Sequence, residues 1–385
     1  MKTVVSYDPS WKATAIGRIP GWDSLNTVEQ VCSFLSNTDC DFMLFPADEE
    51  LELKIKKLQN RNDILLFWLN EFMPTGISKY RFTVELAENY HIPHTGANSE
   101  ALHVGLDKVL TKNIFRDLGI LTPCSYTCFP GNISAVSENL SEHGSVIVKP
   151  LLQGGSRGIF QDSVVPANDE SEISRLVRRI WYEFEEPALV ESYIGGDNPR
   201  EFSVPILISP TACHYYKLPI VEMNLSIIQM TDYKILSQEI KEGNIPEQEM
   251  NYFGLLLSIP ASLETAKRDY LYTRIASVSK ILKCQDVVRA DVREEDGRFY
   301  FLEVNVTPDR SRLTTIYTSF SNLGYSQSQL YLLAPFQAMV RYGMTPPKKL
   351  TEHIQPVIDY MKESSHAKIL PHTVFRRDVH HNLMN

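Results

Sequence analysis

Val287-Val288-Arg289-Ala290-Asp291-Val292 and, after a turn at Asp296-Gly297, Phe301-Leu302-Glu303-Val304-Asn305 read as the two strands of a hairpin. Side chains alternate faces along a strand, so Arg289 and Asp291 share one side of the first strand, and Glu303 and Asn305 share one side of the second. A register that sets Glu295 opposite Phe299 puts Asp291 opposite Glu303 and Arg289 opposite Asn305. Two carboxylates, an amide oxygen and a guanidinium then gather in one patch, an oxygen-ligand site for a hard cation. Magnesium held by a few carboxylate oxygens, with the rest of its shell left to water and substrate phosphates, is the usual design of an ATP site. A plain solvated hairpin is the alternative. The apolar company weighs against it: Val287, Val288, Val292, Phe299, Phe301, Leu302 and Val304 describe strands buried on both faces, where charge needs a partner or a metal.

The chain has 385 residues, enough for two or three lobes, and 43% of them are hydrophobic, ordinary for a globular protein. A formal net charge of -9 argues against sequence-independent nucleic-acid binding, which needs a basic surface to displace counterions from phosphate. A polyphosphate here is a small ligand held by a few local cations. Met1 to Pro9 lacks a basic region followed by an apolar run, and no stretch of about 18 consecutive apolar residues occurs, so a soluble, cytoplasmic protein without a membrane partner is expected. Cys32, Cys40, Cys124, Cys128, Cys213 and Cys284 are too scattered to complete a zinc site and read as buried thiols. The His91/His94 and His380/His381 pairs read as surface residues.

Upstream of the hairpin, strands and helices alternate, the pattern of an α/β lobe. Asp41 to Phe45 and Ile64 to Leu69 read as short buried strands. Leu106 to Leu118 carries apolar residues at helical spacing, and Gly119 stands where a helix stop belongs. Ser145 to Lys149 reads as a strand, Glu170 to Phe184 as a helix and Ala188 to Tyr193 as a strand. Glu222 to Ser258, broken by Gly243 and Pro246, reads as a long loop or lid. After the hairpin, helices run through Met344, and Pro346-Pro347 marks off a basic and polar tail.

Lys149 leads directly into Gln153-Gly154-Gly155-Ser156-Arg157-Gly158. Three glycines after a strand let backbone amides approach an anion, and the lysine supplies a point charge for phosphate. The loop lacks the Gly-Lys-Ser/Thr ending of a Walker loop and the spacing of the dinucleotide fingerprint, and a hairpin turn with a chance lysine reads equally well in isolation. Its weight comes from the order of parts along the chain: Lys108 on a helix, Lys149 before glycines, Glu191 ending a strand, Glu201 after a short loop, then Asp291, Glu303 and Asn305.

That series resembles the ATP-grasp superfamily and, within it, the D-alanine-D-alanine ligase family. Four segments carry the resemblance: His94-Thr95-Gly96 through Asp107-Lys108 to Thr122-Pro123; Val146 to Pro150 with its glycine loop; Leu189-Val190-Glu191 to Glu201-Phe202-Ser203-Val204; and Val288 to Asp291 with Phe301 to Pro308. It covers roughly residues 90 to 335. The resemblance implies an α/β fold of three lobes with ATP between two antiparallel sheets: an N-terminal α/β lobe (1–105), a central lobe (106–192), a C-terminal lobe with the lid and the metal site (193–345), and a tail (346–385). By position, Lys108 and Lys149 contact ATP phosphates, and the loop Gly154 to Gly158, with Gly154, Gly155 and Ser156 as its binding residues, closes over them. Glu191 with Ser192, Tyr193 and Ile194 forms the adenine hinge, and Glu201 binds ribose. Lys234 matches the family's lid lysine, with Lys217 as the alternative. Asp291, Glu303 and Asn305 hold magnesium, two ions in all, and Arg289 faces the reacting carboxylate. A homodimer built through the first lobe is also implied.

The implied reaction is ATP-dependent, ADP-forming carbon-nitrogen ligation: a carboxylate takes the γ-phosphoryl group, and an amine attacks the acyl phosphate. Departures from the family fall on the amino-acid pockets. The first-lobe His-Gly motif is replaced by Asn70 to Lys79, Gly155 stands where the family has a serine, and the segment after Asn305 reads Pro308-Asp309-Arg310-Ser311-Arg312-Leu313-Thr314. ATP handling is kept and both pockets are rebuilt. An amino acid is therefore expected to be joined to a different small amine or carboxylate partner, in a specialised biosynthetic pathway. Arg310 or Arg312 would pair an acidic group, with Asp309 and Thr314 nearby; solvation of both arginines is the alternative. Three other readings stay open: a divergent D-alanine-D-alanine ligase, a ligase acting on an enol or ketone-type acceptor as in mycosporine biosynthesis, and a nucleotide-binding protein without chemistry.

Overall fold

The computed structural model of the chain describes residues 2–9, 25–73, 81–133, 140, 144–195, 199–210, 214–225, 228, 233–241, 257–310, 314–363 and 373–374. Three sheets organise it. The first is parallel, with Lys2–Tyr7 between Phe42–Pro46 and Ile64–Trp68. The second is antiparallel, in the order Ser125–Cys128, Ala188–Ser192, Ser145–Pro150, Val164–Pro166. The third is the largest, with Arg298–Asn305, Val287–Glu295, Arg200–Ile208, Val221–Asn224 and Leu257–Ile259 side by side. Helices pack on each, so every sheet buries an apolar face.

The hairpin forms, and its register differs from expectation at one end. Asp296 and Gly297 both have positive φ, 50° and 72°, a two-residue turn whose twist suits a hairpin, and it sets Glu295 opposite Arg298. An irregularity between Asp291 and Val292 leaves Leu302 without a partner, so that beyond it Asp291 faces Glu303 and Arg289 faces Asn305. The turn is one residue tighter than expected, and the bulge restores the expected pairing at the polar patch.

Asp107 breaks the expected helix Leu106 to Leu118 into Ser99–Leu106 and Lys108–Asp117. Its carboxylate caps the second helix, accepting from the Val109 and Leu110 amides at 2.8 and 3.1 Å. The helix Glu170–Phe184 matches the sequence reading end to end. The segment read as one long loop is strand at both ends: Glu222 pairs with Ser258 and Met223 with Leu257. Lys348–Glu363, read as the start of a tail, is a helix packed on Gln327–Arg341, and its Leu350, Ile354, Val357 and Met361 join one core with Val28, Val31 and Leu35. His94 is buried, not on the surface, with Nδ1 3.1 Å from the Thr95 carbonyl. Cys40, Cys128 and Cys284 are buried thiols and Cys124 is exposed; Cys213, His380 and His381 lie outside the described residues.

Candidate active site

Antiparallel pairing of Ser145–Pro150 with Ala188–Ser192 brings Lys149 and Glu191 onto one face, where Lys149 Nζ donates to Glu191 Oε1. The other oxygen is taken by Lys112, at 2.8 Å. Lys112 was not among the expected site residues. Two buried ammoniums thus share one buried carboxylate. Burial alone would raise the Glu191 carboxyl; the charges of Lys112 and Lys149 reverse this and bring it to about 2. Lys112, with half a counter-ion, is pushed by burial down to about 8.

Lys108, four residues earlier on the same helix face, is buried and reaches the carbonyls of Leu151 and Gln153, at the entry to the glycine loop. Burial lowers its ammonium, and the charge of Glu303 opposes that. The loop itself is anchored by Glu186, which accepts from the Leu152 amide and from Gln153 Nε2, each at 3.1 Å. Gly155, Ser156 and Gly158 have positive φ, and Gly154 and Gly155 are exposed. From the short helix Gln238–Lys241, Gln238 Oε1 accepts from the Gly158 amide at 2.8 Å.

The hairpin patch acts on this set through the charge of Glu303, felt at Lys108. Arg289 NH2 donates to Asp291 Oδ2 at 2.7 Å, and Asn305 Nδ2 lies 3.3 Å from Asp291 Oδ2 and 3.4 Å from Glu303 Oε1. Ser203 Oγ adds a contact to Asp291 Oδ1 at 3.3 Å. Burial, with the Glu303 charge adding to it, raises the Asp291 carboxyl to about 6 against the pull of Arg289. Two partly buried carboxylates and an amide oxygen, short of positive charge, suit a divalent cation with oxygen preference. Among the described residues no cluster of three or more His, Cys, Asp or Glu could hold a metal ion, so any site here depends on Asn305 and on ligands from outside the protein.

Glu201 sits deeper, with Oε2 accepting from Arg293 Nε at 2.9 Å. Ser192 and Ile194 are buried and Tyr193 half-buried. Lys234 turns its Nζ to the Ile228 carbonyl at 2.5 Å, while Lys217 pairs with Asp269 on the helix Thr265–Ile281 at 2.7 Å. Thr314 caps the helix Thr315–Asn322, accepting from the Tyr317 amide at 3.2 Å. Arg310 is apart from the patch and 1% exposed, its charge set against Asp286 and Asp309 and its Nε without a hydrogen-bond partner. Asp309 also acts on Arg289. Arg312 lies outside the described residues. No helix among the described residues is long and apolar enough to cross a membrane.

The chain is similar to the D-alanine–D-alanine ligase of Alcanivorax borkumensis, 27% identical over 222 residues that make up 57% of this chain and 61% of that protein. It is also similar to the enzyme of that name from Pseudoalteromonas translucida, 25% identical over 248 residues, 63% of this chain and 70% of that protein. The aligned part therefore spans about three-fifths of the first relative's length. Its fold matches the crystal structure of D-alanine–D-alanine ligase from Bacillus anthracis complexed with ATP, with a TM-score of 0.62 at 18% identity, covering 89% of this chain and 99% of that one. The family model described as the D-ala D-ala ligase C-terminus matches residues 133–332, just over half of the chain, and the protein belongs to that family.

Proposed function

We propose that the protein is an ATP-dependent ligase that joins an amino acid to a second small molecule through a carbon-nitrogen bond, by way of an acyl phosphate. The observation that carries this reading is the shared face on which Asp291 meets Glu303 and Arg289 meets Asn305. Asp291, Glu303 and Asn305 would hold magnesium, two ions in this reading, which neutralises the polyphosphate. Lys108, Lys149 and the Gly154 to Ser156 amides receive the phosphates, Lys234 is the lid's cation, the hinge from Glu191 to Ile194 takes adenine, and Glu201 takes ribose. A substrate carboxylate oxygen attacks the γ-phosphorus, the bond to the β,γ-bridging oxygen breaks, and ADP leaves. The amine then attacks the acyl carbon, Arg289 stabilises the oxyanion, and inorganic phosphate departs with the bonding pair while the amine's proton passes to solvent. Losing such an oxyanion donor costs on the order of 100-fold in rate.

The relatives named above support D-alanine as a substrate class to test first. The segment rebuilt after Asn305 supports a different second substrate, in a specialised pathway; reading an acidic group on it through Arg310 requires that group to compete with Asp286 and Asp309, against which the buried guanidinium is set. ADP release with magnesium-ATP, screened over L- and D-amino acids singly and in pairs with mass detection of product, decides between them. Turnover with D-alanine alone assigns the cell-wall reaction; turnover with another pair assigns the specialised ligase; no ATP consumption with any pair overturns the ligase reading.

A further inference from the structure

Arg293 was singled out by no motif, yet it is a buried cation that bonds into the proposed nucleotide site. It lies on Val287–Glu295 and is 5% exposed. Its guanidinium bonds three separate parts of the chain: Nε to Glu201 Oε2 at 2.9 Å, NH1 to the Ile194 carbonyl at 2.8 Å and NH2 to the Lys234 carbonyl at 2.8 Å. The Tyr193 ring lies 5.3 Å away, and its hydroxyl donates to the same Lys234 carbonyl at 3.2 Å. Tyr233, next to Lys234, packs edge-on against Tyr193 at 5.4 Å and meets Ser145 Oγ at 2.9 Å. Arg293 therefore ties together the carboxylate, the hinge and the base of the lid segment.

Three acceptors in three directions suit a planar fork of donors and cannot be matched by an ammonium. The bond to Glu201 uses Oε2 and leaves Oε1 as an acceptor on a side chain that keeps 12% of its surface. A glutamate alone has three rotatable bonds, and a fixed partner selects one orientation of them. We propose that Arg293 is a positioning residue for the nucleotide ribose: it sets Glu201 so that Oε1 meets a ribose hydroxyl while it holds the hinge and lid carbonyls in place. This rests on the nucleotide site proposed above. A staple that serves only the fold would predict no link between Arg293 and the sugar.

Calorimetric titration of the full chain with ATP, 2′-deoxy-ATP and 3′-deoxy-ATP in magnesium buffer separates the two. The wild-type protein is expected to bind ATP on the order of tenfold more tightly than one of the deoxy analogues, as for a hydrogen bond to a charged group. In Arg293→Met and in Glu201→Gln that ratio is expected to fall to within about twofold, with Arg293→Lys between, since a lysine restores charge but not orientation. An unchanged ratio in Arg293→Met, with all three nucleotides weakened equally or only the melting temperature lowered, overturns the proposal. So does a wild-type protein that binds all three alike. Should Arg293→Met fail to fold, Arg293→Lys carries the same test. A wild-type protein that binds no ATP at all is a different result: it removes the nucleotide site itself.

Discussion

Lys112 and Glu191 form a 2.8 Å ion pair in which neither side chain keeps more than 2% of its surface. The pair fastens the helix Lys108–Asp117 to the strand Ala188–Ser192, and Lys149 closes the same carboxylate from the other side. It therefore fixes the spacing between Lys108 and Lys149, the two cations expected to meet phosphate. Removing one member of a buried pair strands the other, at about 3 to 5 kcal/mol.

The acid limb of stability should carry this pair's signature. The Glu191 carboxyl has an ordinary value of 4.5 and lies at about 2 in the folded chain. A depressed folded value means that its contribution is complete above about 4.5 and is lost as pH falls from there toward about 2. Glu191→Gln should lower the melting temperature at neutral pH and flatten its decline across that window. A variant whose melting temperature falls as steeply with acid as the wild type would show that Glu191 is not the responsible group.

Gly158 and Gly154 should respond differently to alanine. Gly158 has φ +71°, and a Cβ there would sit 2.4 Å from Pro150 Cγ and 2.8 Å from the Phe184 ring. Gly154 has nothing within 4 Å. Denaturant unfolding should place Gly158→Ala lower by roughly 2 kcal/mol or more, and Gly154→Ala within about 0.5 kcal/mol of wild type. Equal effects would contradict this loop geometry.

Asp286 ties the Gly96 segment to the helix Gln327–Arg341. It is 2% exposed, accepts from the Gly96 amide at 2.8 Å and from Arg341 NH1 at 2.9 Å, and faces Arg310. Arg341 continues to the His94 carbonyl at 3.1 Å. Asp286→Asn keeps the shape and removes the charge that the buried Arg310 and the partly buried Arg341 both face, and should cost about 3 kcal/mol in denaturant unfolding. A change below about 0.5 kcal/mol would mean this junction is held elsewhere.

Arg310→Met tests the acceptor pocket. If the arginine reads an acidic group, KM for the second substrate should rise about tenfold or more while ATP binding stays put, the worth of one charge-assisted hydrogen bond. An unchanged substrate KM in the variant would place Arg310 purely in the fold, against Asp286.

The sequence made the polar patch legible because alternation and charge both survive in it. The same alternation runs on from Arg289 and Asp291 to Arg293, and that signal was there to be used. The bulge at Leu302 was not legible, since periodicity cannot register one unpaired residue when the flanking strands are apolar throughout. Lys112 reads as a solvent-facing helix residue; only packing of the helix against Glu191 buries it. The helix Lys348–Glu363 hides its stripe of Leu350, Ile354, Val357 and Met361 among lysines and glutamates and an internal Pro356. Short strands such as Val221–Asn224 and Leu257–Ile259 are held by their neighbours in the sheet, so three or four residues carry too little pattern of their own.

The most direct test of the account compares ADP release by the wild-type protein and by Glu303→Gln, with magnesium-ATP and the amino-acid panel. The account predicts release that depends on an added amino acid, accompanied by a ligated product of matching mass, and a loss on the order of 100-fold or more in the variant. Release that is independent of any amino acid, or equal in Glu303→Gln, would contradict it.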